Sequence, residues 1–84
     1  MNYTVTWKPS AEQDLARLWL AAADRQAVAD AANRIDALLQ TDAEQRGESR
    51  SGATRILFEP PLAVLFEVQA QAGQVEVLKV WRTT

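Results

Sequence analysis

The sequence predicts a two-layer α+β domain spanning residues 1–84, in which a helical hairpin packs on a mainly antiparallel four-stranded sheet. The predicted elements follow the order β-α-α-β-β-β, and the chain length of 84 residues suits a single core. The three strand-like runs of the carboxyl half are separated by short turns, which is typical of an antiparallel meander. One face of that meander is expected to take the helices.

The amino-terminal half contains one predicted strand and two predicted helices. NYTVTW alternates β-branched and aromatic residues with polar ones, which indicates a short strand that Pro9 ends. Ser10, with Gln13 completing a capping box, is predicted to cap the first helix, and Asp24 the second. Apolar residues at helical spacing support both helices: Ala11, Leu15, Leu18, Trp19 and Ala22 in the first, and Val28, Ala31, Ile35, Leu38 and Leu39 in the second. A tight turn between them makes an αα-hairpin.

The carboxyl-terminal half contains a predicted loop and three predicted strands. Residues 41–54 lack periodicity and are rich in turn formers, so they are predicted to form a loop. RILFE and LAVLFEV are strand-like and flank Pro60-Pro61, which cannot continue a ladder and therefore marks a hairpin turn. VEVLKVW follows the turn QAQAGQ as the last strand. The amino-terminal strand is expected to join the sheet beside one of these strands.

Strict alternation assigns the faces of the last two strands. In the first of them, one face is apolar and is assigned to the core: Leu62, Val64, Phe66 and Val68. The last strand divides into two sets, neither of them polar throughout: Glu76, Leu78, Val80 and Arg82, and Val75, Val77, Lys79 and Trp81. The second face of the sheet is therefore predicted to be partly covered, and in so short a chain the cover is expected to come from another molecule.

The composition excludes several chemistries. The chain has neither Cys nor His, so disulfides, thiolate metal sites and the usual zinc and non-haem iron ligand sets are ruled out, and no cofactor or metal is expected. No apolar run is long enough to cross a bilayer and no signal-peptide pattern is present, which predicts a cytoplasmic protein without a membrane partner. The net charge is −2. Only a local patch in the second half of the chain could attract nucleic acid.

The order of elements and the segment RILFEPPLAVLFEVQAQAGQVEVLKVWRTT resemble the RelE/ParE superfamily of toxins from bacterial toxin–antitoxin pairs. Members commonly have a P-Y-R-V-x-Y-x-V strand and a final V-x-V-x-x-V-x-H-R strand, for which PPLAVLFEV and VEVLKVWR stand here. The resemblance covers nearly the whole chain. It implies a toxin neutralised by a small antitoxin, as in plasmid stabilisation. RelE-like members cut messenger RNA on the ribosome, and ParE-like members poison DNA gyrase.

The resemblance also implies roles for particular residues. The arginine of the family's middle strand falls on Ala63 and the histidine of its last strand on Trp81, while the adjoining arginine is kept as Arg82. Arg82 and Arg55 are the catalytic candidates, and Glu67 could serve as a general base if burial raised its pKa. Candidate nucleic-acid contacts are Arg50, Arg55, Lys79, Trp81 and Arg82. Candidate antitoxin contacts are Leu65, Val75, Val77 and Trp81.

Two hypotheses stay open at this point. The first is a toxin with ribonuclease or gyrase-directed activity. The second is a binding module with the same fold whose chemistry is eroded, kept for antitoxin pairing and for repression of its own operon. The absence of His, Ala63 in place of an arginine and the slightly acidic balance weaken the case for RNA cleavage. None of these features affects antitoxin binding, which needs apolar strand faces and grooves.

Overall fold

The computed structural model describes residues 2–49 and 52–84, and it has two α-helices on one face of a five-stranded sheet. The elements are β1 (Thr4–Trp7), α1 (Pro9–Ala21), α2 (Arg25–Asp42), β2 (Glu48–Ser49), β3 (Thr54–Glu59), β4 (Leu62–Gln69) and β5 (Gln74–Arg82), with 3₁₀ turns at Ala43–Gln45 and Ala70–Ala72. The predicted two-layer α+β class is confirmed. Within the described ranges, no helix is long and apolar enough to cross a membrane.

The sheet has the strand order β1-β5-β4-β3-β2. β1 pairs in parallel with β5, as expected for an amino-terminal strand that joins the carboxyl half. The other pairs are antiparallel, and the β3–β4 hairpin turns at Pro60 and Pro61 as predicted. The sheet therefore places the last strand, β5, between the first strand and the hairpin.

The fifth strand, β2, lies inside the segment predicted to be a loop. That prediction was wrong in three places, because α2 continues to Asp42, Glu48–Ser49 pair with β3, and β3 begins at Thr54. Gly47 makes the pairing possible. It has a φ of 70°, and a Cβ at this position would collide with the carbonyl of Ile56, so only glycine lets the chain pass so close to β3.

The predicted caps of the helices are not formed by side chains. α1 begins at Pro9 and its N-cap is Lys8 rather than Ser10, since proline with its fixed φ suits the first helical turn. Asp24 is the N-cap residue of α2, as predicted, but its side chain makes no capping hydrogen bond. The carboxylate is instead bonded to Arg82 on β5.

The core lies between the helices and the sheet. The four β4 residues assigned to it are buried, as predicted, and they pack against the apolar stripe of α2. The buried members of that stripe are Val28, Ala31, Ile35 and Leu39. Trp19, placed in the apolar stripe of α1, does not join this core, because its side chain is 40% exposed.

A β-bulge in β5 overturns the predicted faces of that strand. Phe66 of β4 pairs with Val77 and Leu65 pairs with Lys79, so Leu78 is an extra residue without a partner in β4. The bulge shifts the alternation by one position. The helix-facing set is therefore Val75, Val77, Val80 and Arg82, and the opposite set includes Glu76, Lys79 and Trp81.

Candidate partner-binding face

The sheet face that points away from the helices, called the open face below, carries three cross-strand rows of side chains from β3, β4 and β5. The rows are Phe58–Ala63–Trp81, Ile56–Leu65–Lys79 and Thr54–Glu67–Glu76. Residues directly opposite on paired strands have Cβ atoms about 5 Å apart, so each row is a contiguous strip. Successive rows are two residues apart along β4, which makes the face roughly 13 Å long from the first row to the third.

In the first row, two aromatic side chains flank a small residue. Ala63 has no exposed surface although it lies on the face without helices, because Phe58 and Trp81 flank it on the neighbouring strands. Phe58 is itself 51% exposed, and Trp81 is half-buried. An apolar strip of this kind, left uncovered within the chain, is the feature expected of a protein–protein contact.

The second row continues the apolar strip and ends in a cation. Ile56 and Leu65 are half-buried, and Lys79 is exposed. Of the residues predicted to contact an antitoxin, Leu65 and Trp81 lie on the open face. Val75 and Val77 do not. Their side chains are fully buried in the helix-facing core, so their prediction as surface contacts was wrong, and the β5 bulge is the reason.

The two candidate catalytic arginines lie on the helix side of the sheet. Arg55 pairs with Phe66 and Arg82 pairs with Leu62, two β4 residues that are both buried in the core. Those two residues are four positions apart in β4, which corresponds to roughly 13 Å along the strand. Glu67 is on the opposite face. The structure therefore does not bring Arg55, Arg82 and Glu67 together.

Each of these arginines is bonded to oxygen atoms of the protein. Arg55 donates from Nε to the carbonyl of Arg46 at 2.6 Å and from Nη2 to that of Gly47 at 2.9 Å, which fastens the chain before β2 onto β3. Arg82 donates from Nη2 to Asp24 Oδ2 at 2.7 Å and from Nε to the Thr84 carbonyl at 2.6 Å. The Arg82–Asp24 pair joins the end of β5 to the turn between the helices.

The Arg82–Asp24 pair also changes the acidity of its carboxyl group. The hydrogen bond from Arg82 holds the pKa of Asp24 below its ordinary range, against a smaller opposing effect of burial. The same bond raises the pKa of Arg82. Elsewhere, the Tyr3 hydroxyl donates to Glu44, and that hydrogen bond raises the pKa of Tyr3.

The predicted nucleic-acid patch is also divided. Lys79 and Trp81 share the open face, Arg55 and Arg82 are on the helix side, and Arg50 lies outside the described residues. Among the described residues of the three rows, Lys79 is the one cation, whereas Glu67 and Glu76 contribute two carboxylates.

Sequence reasoning missed Phe58 and Ile56. The signal was present, because alternation in TRILFE sets both residues on the face opposite Leu57, and Leu57 pairs with the core residue Val64. It also missed a groove of about 710 Å³ between the two helices, bordered by Trp7, Leu15, Trp19, Leu20, Ala29 and Ala32 together with Glu12 and Asp36. Two of its lining residues are bonded to each other, since Trp7 Nε1 donates to Asp36 Oδ1 at 2.8 Å.

Comparison with known proteins identifies the fold. No family model and no curated protein matches the sequence. Several solved structures resemble it, two of them along nearly their full length. One is a chain of the chromosomal ParDE toxin–antitoxin system from P. aeruginosa, with 20% identity, a TM-score of 0.75, and 98% of this chain and 97% of that chain covered. The other is a chain of the toxin–antitoxin complex RelBE2 from Mycobacterium tuberculosis, with 18% identity, a TM-score of 0.81, and 98% and 92% covered. This chain therefore has the fold of chains found in ParDE and RelBE complexes.

Proposed function

We propose that this chain is the RelE/ParE-type component of a toxin–antitoxin pair, and that a small antitoxin binds across the open face. The observation that carries the proposal is the uncovered Phe58–Ala63–Trp81 row, continued by Leu65, in a chain whose fold resembles partners in two toxin–antitoxin complexes. An apolar strip of strand residues is the surface that a partner peptide or helix buries.

The arrangement of the cations favours binding over catalysis. RNA cleavage needs an activated 2′-hydroxyl, a proton donor for the leaving oxygen and cations at the phosphate. Arg55 and Arg82 point to the helix side and are bonded to protein oxygens, so they do not reach a substrate on the open face. We therefore favour the hypothesis of an eroded module over that of a ribonuclease.

One observation supports the alternative of a toxic activity directed at messenger RNA or the ribosome. Lys79 and Trp81 share the open face, where an aromatic ring can stack on a base while the ammonium group meets a phosphate. Gyrase poisoning, the activity of ParE-like toxins, has no residue-level support of this kind.

The binding proposal is tested with the polypeptide encoded by the reading frame adjoining the gene. We expect the two chains to copurify and to form a stoichiometric complex in calorimetry. Phe58→Ala should weaken binding about tenfold or more, as expected for an aromatic anchor in an interface. Leu20→Ala is the matched control, because Leu20 is 61% exposed but lies on the helical layer. Equal effects of the two substitutions would contradict the open face as the binding surface.

The activity is tested by inducing the gene alone and measuring growth. Arrest that is abolished in a Lys79→Ala, Trp81→Ala variant would support a working site on the open face. Cut messages would then indicate an RNase, and double-stranded DNA breaks a gyrase poison. Normal growth with a stable product that binds its partner is the outcome expected of the eroded module.

A further inference from the structure

The third row of the open face carries two carboxylates in a position that is unfavourable for an isolated chain. Glu67 of β4 and Glu76 of β5 are direct cross-strand partners, and both side chains are half-buried. Like charges directly opposite one another destabilise a sheet. In the part of the chain that the structure describes, neither carboxylate has an ion pair, and Glu67 accepts one hydrogen bond, from the neutral amide of Gln69 at 3.1 Å.

The electrostatics of the open face follow from the direction of its side chains. The β5 bulge turns Arg82 to the helix side, and the register of β3 does the same for Arg55, so neither can neutralise the carboxylates. Lys79 lies one row away on the same face and forms no ion pair with either carboxylate. The face is thus apolar and aromatic at one end and negative at the other.

Building on the proposed function, we infer that the antitoxin segment on the open face is amphipathic, with an apolar side chain in the Phe58–Ala63–Trp81 row and a Lys or Arg between Glu67 and Glu76. A cation there removes the repulsion between the two carboxylates and donates charge-assisted hydrogen bonds to both. The same carboxylates repel the phosphates of a nucleic acid. The charge of this face therefore selects a cationic protein segment as its occupant.

The length of the face sets a spacing in the partner. The aromatic row and the carboxylate row are roughly 13 Å apart, because Ala63 and Glu67 are four positions apart in β4, with a rise of about 3.3 Å per residue. An extended segment covers that distance in about four residues. A helix has a rise of about 1.5 Å per residue, so its cation lies about seven residues from the apolar anchor, on the same side of the helix, with the long side chain covering the rest. Either spacing can be read from the sequence of the partner.

The inference is tested with the product of the adjoining reading frame and a Glu67→Gln, Glu76→Gln variant. This variant keeps the shape of the face and is expected to be at least as stable as the wild type. We expect its affinity for the partner to fall about tenfold or more and to depend less steeply on salt than that of the wild type. Glu12→Gln is the control, because it removes an exposed carboxylate from the helical layer.

A second measurement checks the pairing directly. Glu67→Lys with Glu76→Lys should abolish binding, and a Lys→Glu or Arg→Glu change at one position of the partner should restore it. Unchanged affinity of the glutamine variant, or an equal loss in the Glu12→Gln control, would overturn the inference and leave the proposed function standing. Absence of binding to the wild-type chain would overturn both. Two further outcomes would overturn it. One is self-association through the open face, seen in sedimentation as a dimer that Phe58→Ser disrupts. The other is an RNA that binds more weakly to the chain after the Gln substitutions.

Discussion

The two faces of the central sheet place the same kinds of side chain in different surroundings. The protein has two phenylalanines: Phe66 is fully buried against the helices, whereas Phe58 is 51% exposed on the open face. The cations are divided in the same way, since Arg55 and Arg82 are bonded to protein oxygens on the helix side and Lys79 is exposed on the other. Residue type alone therefore does not show which side chains the protein itself covers or bonds. The side of the sheet does.

Replacing each phenylalanine with alanine tests this comparison most directly. Phe66→Ala leaves a cavity between β4 and the helices, and we expect it to lower the free energy of unfolding by about 3–5 kcal/mol. Phe58→Ala removes a half-exposed ring and is expected to cost less than about 1 kcal/mol. Urea unfolding followed by tryptophan fluorescence measures both. Similar losses would mean that the open face is part of the core of the isolated chain.

The second-largest loss of stability is expected at Gly47, where the chain passes from the helices to the sheet. Gly47→Ala forces a Cβ against the Ile56 carbonyl at a positive φ, and we expect it to lower the free energy of unfolding by about 2 kcal/mol or more. Gly73→Ala is the matched control. Gly73 has a φ of 65° but open space around it, so its substitution should cost only about 1 kcal/mol. Equal effects on the urea midpoint would show that the backbone angle, and not the contact with β3, fixes β2 in place.

A smaller effect is expected from the helix-side cation Arg55. Arg55→Gln removes two hydrogen bonds to the carbonyls of Arg46 and Gly47, and we expect a loss of about 1 kcal/mol in the free energy of unfolding, because the site is partly exposed. Lys79→Gln, on the open face, should leave stability within about 0.5 kcal/mol of the wild type. The order should reverse for the binding of the partner or of RNA. Lys79→Gln should change that binding, whereas Arg55→Gln is expected to leave it nearly unchanged. Loss of binding without loss of stability in Arg55→Gln would indicate that Arg55 contributes to binding.

Much of the fold could be predicted from the sequence because its signals are local. The apolar stripe of α2 and the unbroken apolar alternation of β4 depend on residues a few positions apart, and both gave the right core. The double proline gave the right hairpin turn. The short strand β2 could not be predicted in this way, because two residues have no period and their pairing depends on a glycine passing close to β3.

The candidate site was harder to predict because its residues depend on register between strands. A single bulge at Leu78 moves Val75 and Val77 away from the predicted surface set and turns Arg82 towards Asp24. Nothing in VEVLKVWR alone distinguishes a regular strand from one with an extra residue, since Leu78 is apolar in either case. The direction of Arg55 could not be predicted for a related reason: it follows from its pairing with Phe66, which lies eleven residues away in the chain.

The smallest expected effect is a pH-dependent one at the helix-side cation Arg82. Its hydrogen bond lowers the pKa of Asp24 in the folded chain, so the pair adds stability above the unfolded pKa of about 3.9 and loses that contribution as the pH falls through the lowered value. Asp24→Asn lacks this titration. The difference between the urea midpoints of wild type and variant should therefore be largest near neutral pH and should shrink steadily in acid. It should be small throughout, because the two side chains are 30% and 44% exposed and solvent screens the pair.

Adding Arg82→Gln to Asp24→Asn should cause little further loss at neutral pH, since the partner is already gone. A large further loss would mean that Arg82 acts mainly through its bond to the Thr84 carbonyl, and the link between β5 and the helical turn would then be weaker than the geometry indicates.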